Sequence, residues 1–379
     1  MKRIKLLTTA AVIIAALSSN TVFAQDNNTL DIDAVIDSAI ESSYTVKSKD
    51  IVVQQAENNY KSAMENAPKV NDQINNTPLL TDNKKFELIK SRDNGPAEAK
   101  YSIYQSKNAK EVAKNEVKLS IYSQYTVLMD AKDVLDTEQK RLDNSEAEYK
   151  KAKLQLETGM ITQNDLKAKE YAYYSQLAAF NKAKRQYEIE TMNLNKLIGA
   201  PIETRYTTLL KDKITEDPYI RRYDSYLEDA LKNRAEMLNA SEYVNLMDFE
   251  FKTVKAFYPD TRDAEYKIGK YYVDSAKNTL ETGKINISLE VNALYNDLQN
   301  KSKKLKSVKD SADYAKQDYD KALQKYKLGL ISKIEADSKL ITLQNAQNSV
   351  KALQRDIWIA QIKLGYACEI GASSTSLGQ

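Results

Sequence analysis

Glu157-Thr158-Gly159-Met160-Ile161-Thr162-Gln163-Asn164-Asp165 recurs as Lys327-Leu328-Gly329-Leu330-Ile331-Ser332-Lys333-Ile334-Glu335. In each stretch glycine offers the left-handed residue that ends an incoming helix, and Thr162 or Ser332 stands where an outgoing helix would begin. An acid three residues later completes a capping box by reaching back to the cap's backbone N–H. Each stretch reads as the tight turn of an αα-hairpin.

Working outward, the flanking segments carry seven-residue repeats. Before the first turn these are Ile121, Leu128, Leu135, Leu142, Tyr149 and Leu156, and after it Leu166, Tyr173, Phe180, Tyr187 and Leu194. The second turn has Val291, Leu298, Leu305, Ala312, Tyr319 and Tyr326 before it, and Ala336, Leu343, Val350, Ile357 and Leu364 after it. A period of 3.5 held over several heptads specifies left-handed coiled-coil packing along a narrow seam, which builds an elongated body and not a wide globular core.

The two stretches belong to a longer duplication. Lys100-Tyr101 aligns with Lys270-Tyr271 at an offset of 170, and the same offset pairs Leu119 with Leu289, Gly159 with Gly329, Arg185 with Arg355 and Leu194 with Leu364. Upstream the offset is 191, pairing Ala39 with Ala230, Lys61 with Lys252 and Pro68 with Pro259, so the second copy is 21 residues shorter between its proline and its second helix. Each copy is predicted to hold three helical stretches. The first spans Asp33 to Asn66 and Ser225 to Phe257, stopped by Pro68 and Pro259. The second spans Ala97 to Leu156 and Lys270 to Leu328, and the third Gln163 to Ile198 and Lys333 to Cys368. Asn71–Pro96 is expected to be an irregular excursion with at most a short strand at Phe86 to Ile89. The expected division is 1–24 leader, 25–199 first repeat, 200–223 connector, 224–371 second repeat and 372–379 tail.

Composition narrows the function. The 379 residues include no His and 1 Cys, which removes imidazole-based catalysis, most zinc sites and any internal disulfide. With 9 Gly and 6 Pro, glycine-rich phosphate loops and turn-dense β-folds are disfavoured. No catalytic, cofactor or metal site is read from the chain, and it is not expected to be an enzyme. Lys2, Arg3 and Lys5 account for the whole excess of 56 Lys+Arg over 53 Asp+Glu. Without residues 1–24 the chain is neutral, so nucleic acid is not an expected partner. Those residues read as a signal peptide: a basic start, an apolar run from Leu6 to Leu17, and Val22-Phe23-Ala24 before the cleavage point. The run is short for an uncleaved anchor, which needs roughly 20 apolar residues.

Two tandem heptad hairpins, the repeated Gly-(Met/Leu)-Ile-(Thr/Ser)-x-x-(Asp/Glu) turn and a Tyr-Lys-x-Ala element before the first turn resemble the TolC-like outer membrane efflux proteins, over Leu30 to Gly371. The resemblance implies a passive helical conduit: three protomers forming one tube of coiled-coil hairpins, topped by a membrane β-barrel to which each repeat gives two strands. It implies a homotrimer, and as partners an adaptor (membrane fusion) protein and an inner-membrane pump. It also implies that the adaptor meets the tips, Gly159, Met160, Ile161 and Thr162 with Gly329, Leu330, Ile331 and Ser332.

The chain departs from that pattern between its first and second helices. A membrane strand needs roughly 9–11 residues. Residues 260–269 are too few for a hairpin of two, and the first copy shows no alternating apolar face there. The expected fold is all-α: elongated coiled-coil helical hairpins in two tandem repeats, a TolC-like helical-barrel protomer with little or no β-barrel. Its expected place is extracytoplasmic, exported by the signal peptide. The alternative function is an exported coiled-coil scaffold or binding protein that has lost transport.

Other residues have plainer readings. Tyr149, Tyr173, Tyr187, Tyr319 and Tyr326 fall on heptad positions and are assigned to the seam. Asp165 and Glu335 are assigned to capping, Cys368 to a small buried apolar site, and Lys301-Ser302-Lys303-Lys304 to a solvated face. Gly, hydroxyl and acid at the tips are explained by hairpin geometry alone, whereas Met160 and Leu330 are apolar residues that a plain turn does not need.

Overall fold

A computed structural model describes residues 29–77, 79–210 and 219–372. The predicted signal peptide and most of the tail lie outside them. The chain runs β1 (Thr29–Asp31), α1 (Ile32–Ser42), α2 (Tyr44–Asn76), α3 (Asp82–Glu157), α4 (Gln163–Ile198), β2 (Thr208–Leu210), α5 (Tyr223–Asn233), α6 (Ala235–Phe257), α7 (Ala264–Lys327) and α8 (Lys333–Cys368). The all-α architecture of long hairpins is as expected. With 76 residues in α3, that helix is about 115 Å long. It packs against α2 and α4 of its own repeat and against α6 and α8 of the other.

The heptad residues meet where the sequence places them, but burial is uneven. Ile121, Leu128, Leu194, Val291, Leu298, Ile357 and Leu364 are buried in the body. Toward the tips Tyr149, Leu156 and Leu166 are only half-buried. Tyr149 and Tyr173 stack at 5.7 Å across the α3–α4 seam and Tyr187 is buried, but Tyr326 is 39% exposed and does not close its seam. The core of the first repeat includes Trp358 from α8, whose ring lies 4.9 Å from that of Tyr122. Beside that contact, Arg355 pairs with Asp130 and with Asp133 (2.7 Å), and Lys351 reaches Asp133 at 2.8 Å. These contacts tie α8 to α3.

Several expectations are corrected between the repeats' first and second helices. Pro68 does not end its helix; α2 continues through it to Asn76. The expected excursion at Asn71–Pro96 is mostly helix, since α3 begins at Asp82 and contains Pro96, and Phe86–Ile89 is helical and not a strand. Tertiary packing outweighs the proline cost here. Phe86 is buried with its ring 5.5 Å from Phe257 and 5.0 Å from Tyr258, Tyr258 Oη donates to Asn83 Oδ1 (3.1 Å), and Arg92 Nη1 donates to Asn71 Oδ1 (3.0 Å). In the second repeat the helix does end before Pro259, and α7 starts at Ala264, earlier than the expected Lys270.

The first helix of each copy is also broken where no break was expected. Ser43 (φ −57°, ψ 129°) separates α1 from α2, and Arg234 (φ −61°, ψ 136°) separates α5 from α6. These positions stand at the same 191 offset. Arg234 is buried, with its guanidinium held by Glu236 (2.6 Å) and Glu290 (3.0 Å), so a kinked backbone is fixed by an ion-paired side chain. The connector carries an unexpected strand: β2 pairs in parallel with β1, Thr29 opposite Thr208 and Asp31 opposite Leu210. Tyr187 Oη donates to Tyr206 O (2.7 Å), Tyr125 Oη donates to Leu210 O (2.6 Å), and Asn195 Nδ2 donates to Ile202 O and Thr204 O.

Candidate functional site

Each tip is built by the last turn of one long helix and the first of the next. At the first, Gly159 (φ 70°) donates its N–H to Leu156 O (2.9 Å) and Met160 donates to Gln155 O (2.8 Å), the paired bonds of a Schellman turn. At the second, Gly329 (φ 71°) donates to Tyr326 O (2.9 Å) and Leu330 to Lys325 O (2.8 Å). Both expected capping boxes are present. Thr162 N donates to Asp165 Oδ2 (2.9 Å) while Asp165 N donates to Thr162 Oγ1 (3.2 Å); Ser332 N donates to Glu335 Oε2 (2.7 Å) while Glu335 N donates to Ser332 Oγ (3.2 Å).

Hydrogen bonds set the acidity of these carboxyls. The Thr162 hydroxyl and then its backbone N–H hold Asp165 below the usual value, and the Ser332 backbone N–H and then its hydroxyl do the same for Glu335. In each acid one carboxylate oxygen serves the cap, accepting from both the backbone N–H and the hydroxyl of the capping residue.

The structure thus brings Gly159, Met160, Ile161 and Thr162 together at one tip, and Gly329, Leu330, Ile331 and Ser332 at the other. A Schellman turn commonly packs its last residue back on the helix. Here Met160 stays 73% exposed and Leu330 69% exposed, while Ile161 and Ile331 are half-buried. The sequence reading missed Leu328, which is 74% exposed beside Leu330 and occupies the place of Thr158 in the first tip. Its signal was available in the aligned turns: an apolar residue where the other copy has a hydroxyl. The tips also differ in charge. Residues 155–165 carry two acids and no base (net −2), whereas 325–335 carry Lys325, Lys327 and Lys333 against Glu335 (net +2).

Cys368 is buried and unpaired, and burial pushes its thiol up to about 11, so it serves as packing. Among the described residues no helix is long and apolar enough to cross a membrane.

No family model matches the sequence, and no curated protein does. Solved structures do match the fold. The Campylobacter jejuni CmeC outer membrane channel aligns with 90% of this chain and 87% of its own, at a TM-score of 0.65 and 13% identity. The outer membrane protein VceC from Vibrio cholerae aligns with 90% of this chain and 97% of its own, at a TM-score of 0.61 and 13% identity. A membrane protein from Pseudomonas aeruginosa aligns with 91% and 92%, at 0.64 and 12%. The chain has the TolC-like fold, the architecture of outer membrane channels, at 13% sequence identity to them.

Proposed function

We propose that the protein is a TolC-like component of an export or efflux assembly, a passive helical conduit or docking element that meets a periplasmic-type adaptor through its hairpin tips. The observation that carries this reading is the pair of Schellman-capped tips holding Met160, Leu328 and Leu330 in solvent on a TolC-like body. Exposed apolar side chains gain on burial, whereas the capping groups are already paired, so the apolar residues would supply most of the contact. The proposal includes two repeats, 25–199 and 224–371, joined by 200–223, with the 372–379 tail. It also includes export with removal of residues 1–24, a homotrimer, and an inner-membrane pump beyond the adaptor. Replacing Met160 and Leu330 together with Asp tests it. Adaptor-hairpin binding should be lost, with helical circular dichroism unchanged. Unaltered binding, or unfolding, would leave the tips as turns only.

One observation favours a second reading, a monomeric exported scaffold. In a ring that continued the repeat symmetry, α4 of one copy would meet α7 of the next as α8 meets α3 within the chain. Arg355 with Asp130 and Asp133 would then be replaced by Arg185 with Asn300 and Lys303, and Trp358 with Tyr122 by Glu188 with Asn292. The seam between copies would lack both the ion cluster and the aromatic contact. Sedimentation at micromolar protein separates the readings: a trimer that binds adaptor supports the conduit, and a monomer indifferent to adaptor supports the scaffold. Fractionation of the native host tests location, with recovery in a soluble extracytoplasmic or cell-wall fraction expected.

A further inference from the structure

Far from the tips, where α3, α6 and α7 meet, lies a cavity of about 190 Å³ lined by Phe86, Lys90, Asn94, Glu250, Phe251 and Tyr272 among others. By volume it would hold about six waters. Asn94 is 2% exposed, and neither its Nδ2 nor its Oδ1 has a hydrogen-bond partner. The buried Oε1 of Glu250 is likewise unpartnered. Native interiors rarely leave an amide and a carboxylate oxygen unpaired around one space, so the cavity is chemically incomplete without an occupant.

The surrounding charge selects the occupant's sign. Glu87, Glu250 and Glu265 line the cavity against the single Lys90, and Glu98 on α3 stands beside Glu250 and adds to the negative charge there. The Phe251 ring already carries the Lys255 ammonium at 4.8 Å, which leaves Tyr272 as the aromatic wall that favours an organic cation. Among the described residues no three acidic or cysteine side chains converge as metal ligands would, which disfavours an inorganic ion. Asn94 needs both a donor and an acceptor from its partner.

We propose that this cavity binds a small organic ammonium ion that also carries a hydrogen-bond acceptor, its N–H groups donating to Glu250 Oε1 and Asn94 Oδ1 and its acceptor taking Asn94 Nδ2–H. The site does not depend on the efflux reading. Burial first, and the neighbouring Glu98 next, push the Glu250 carboxyl up to about 7. The groups facing it are Glu87, Lys90 and Glu98 on α3, Tyr243 on α6, and Glu265 and Tyr272 on α7. Below neutral pH a proton therefore occupies the carboxylate that the ammonium ion needs.

Isothermal titration of the mature full-length chain with tyramine tests the proposal, with 3-(4-hydroxyphenyl)propionate as the anionic counterpart of the same size. Tyramine should bind one site per chain at pH 8, bind more weakly at pH 6, and be lost about tenfold or more in Glu250→Gln and in Asn94→Leu. The anion should not bind. A third variant keeps the result interpretable if those two fold poorly: at Gly269 an added Cβ would lie 2.8 Å from Phe251 Cδ2, so Gly269→Ala should drive the ring into the cavity and weaken tyramine without removing a charge. The proposal is overturned if wild-type protein gives no saturable heat up to about 10 mM tyramine, a concentration that would detect even millimolar affinity. It is equally overturned if the anion binds as well, or if folded variants bind like wild type.

Discussion

The two tips share one backbone and carry opposite charge, whereas the two connections at the other end of the body share a place in the repeat and differ in the helices that flank them. At the tips, glycine, hydroxyl and acid within a few residues dictate every bond, so the same hydrogen bonds form whether the surrounding residues are Glu157 or Lys325 and Lys327. At the opposite end, α2 runs to Asn76 and α3 starts at Asp82, both containing a proline, while 258–263 form a short turn in which Arg262 N donates to Asp260 Oδ1 (2.9 Å). There the fold is decided by what the helices pack against. Phe86, supplied by the longer copy, covers Phe257 and Tyr258 of the shorter one. Local specification tolerates a reversal of charge; packing tolerates even a proline inside a helix.

The largest expected effect is on the seam that both ends depend on. Leu305→Asp puts a carboxylate at a buried heptad position and should cost about 3–5 kcal/mol. Leu135→Asp, at a half-buried position, should cost less; thermal melts followed by circular dichroism would rank the two, and the reverse order would mean that the seams are not equivalent. Next comes the contrast between prolines. Pro96→Ala restores an N–H inside α3 and should stabilise by about 1–3 kcal/mol, whereas Pro259→Ala, outside any helix, should change the melting temperature little.

Smaller effects test whether the tips are interchangeable. Gly159→Ala and Gly329→Ala should each cost about 1 kcal/mol, and by the same amount, because both glycines hold a positive φ and no neighbour would crowd the new methyl. Unequal costs would show that one tip leans on contacts that the other lacks. Smallest is the pH response. Hydrogen bonds hold both capping carboxyls below their ordinary values, so each cap's contribution is present above the unfolded value and is lost as pH falls through the folded one. Both tips should therefore stay closed at neutral pH and loosen only below the ordinary carboxylate range. Amide exchange at residues 163–166 and 333–336, followed downward from about pH 5, would show the loss.

What the sequence disclosed follows the same division. The tips, α4 and α8 were readable to the residue because their signals are local: a capping box at one end and heptads throughout. The extension of α2 past Pro68 was not, because it rests on packing against α3, where Arg92 Nη1 donates to Asn71 Oδ1 across 21 positions of chain. The kinks at Ser43 and Arg234 carry no glycine or proline. One of them is fixed by Glu290, 56 positions away. Strand β2 looked like linker because three residues, paired only with β1, leave no periodicity to read. At the candidate site Met160 and Leu330 stood out as apolar residues in a turn, while Leu328 was hidden by its place at the end of a helical pattern.

The β1–β2 pair has a kinetic consequence. The two tip hairpins each close across a turn of a few residues, but Thr29 meets Thr208 only after the first repeat has been threaded between them. Ring closure of that length carries a large entropic cost, which becomes affordable once α3 and α4 have already brought the two ends together. The strand pair should therefore form after the hairpins it encloses. It acts as a late latch, joined to them by the Tyr125 hydroxyl on Leu210 O, whose removal in Tyr125→Phe should leave hairpin formation at its original rate and speed the opening of the ring.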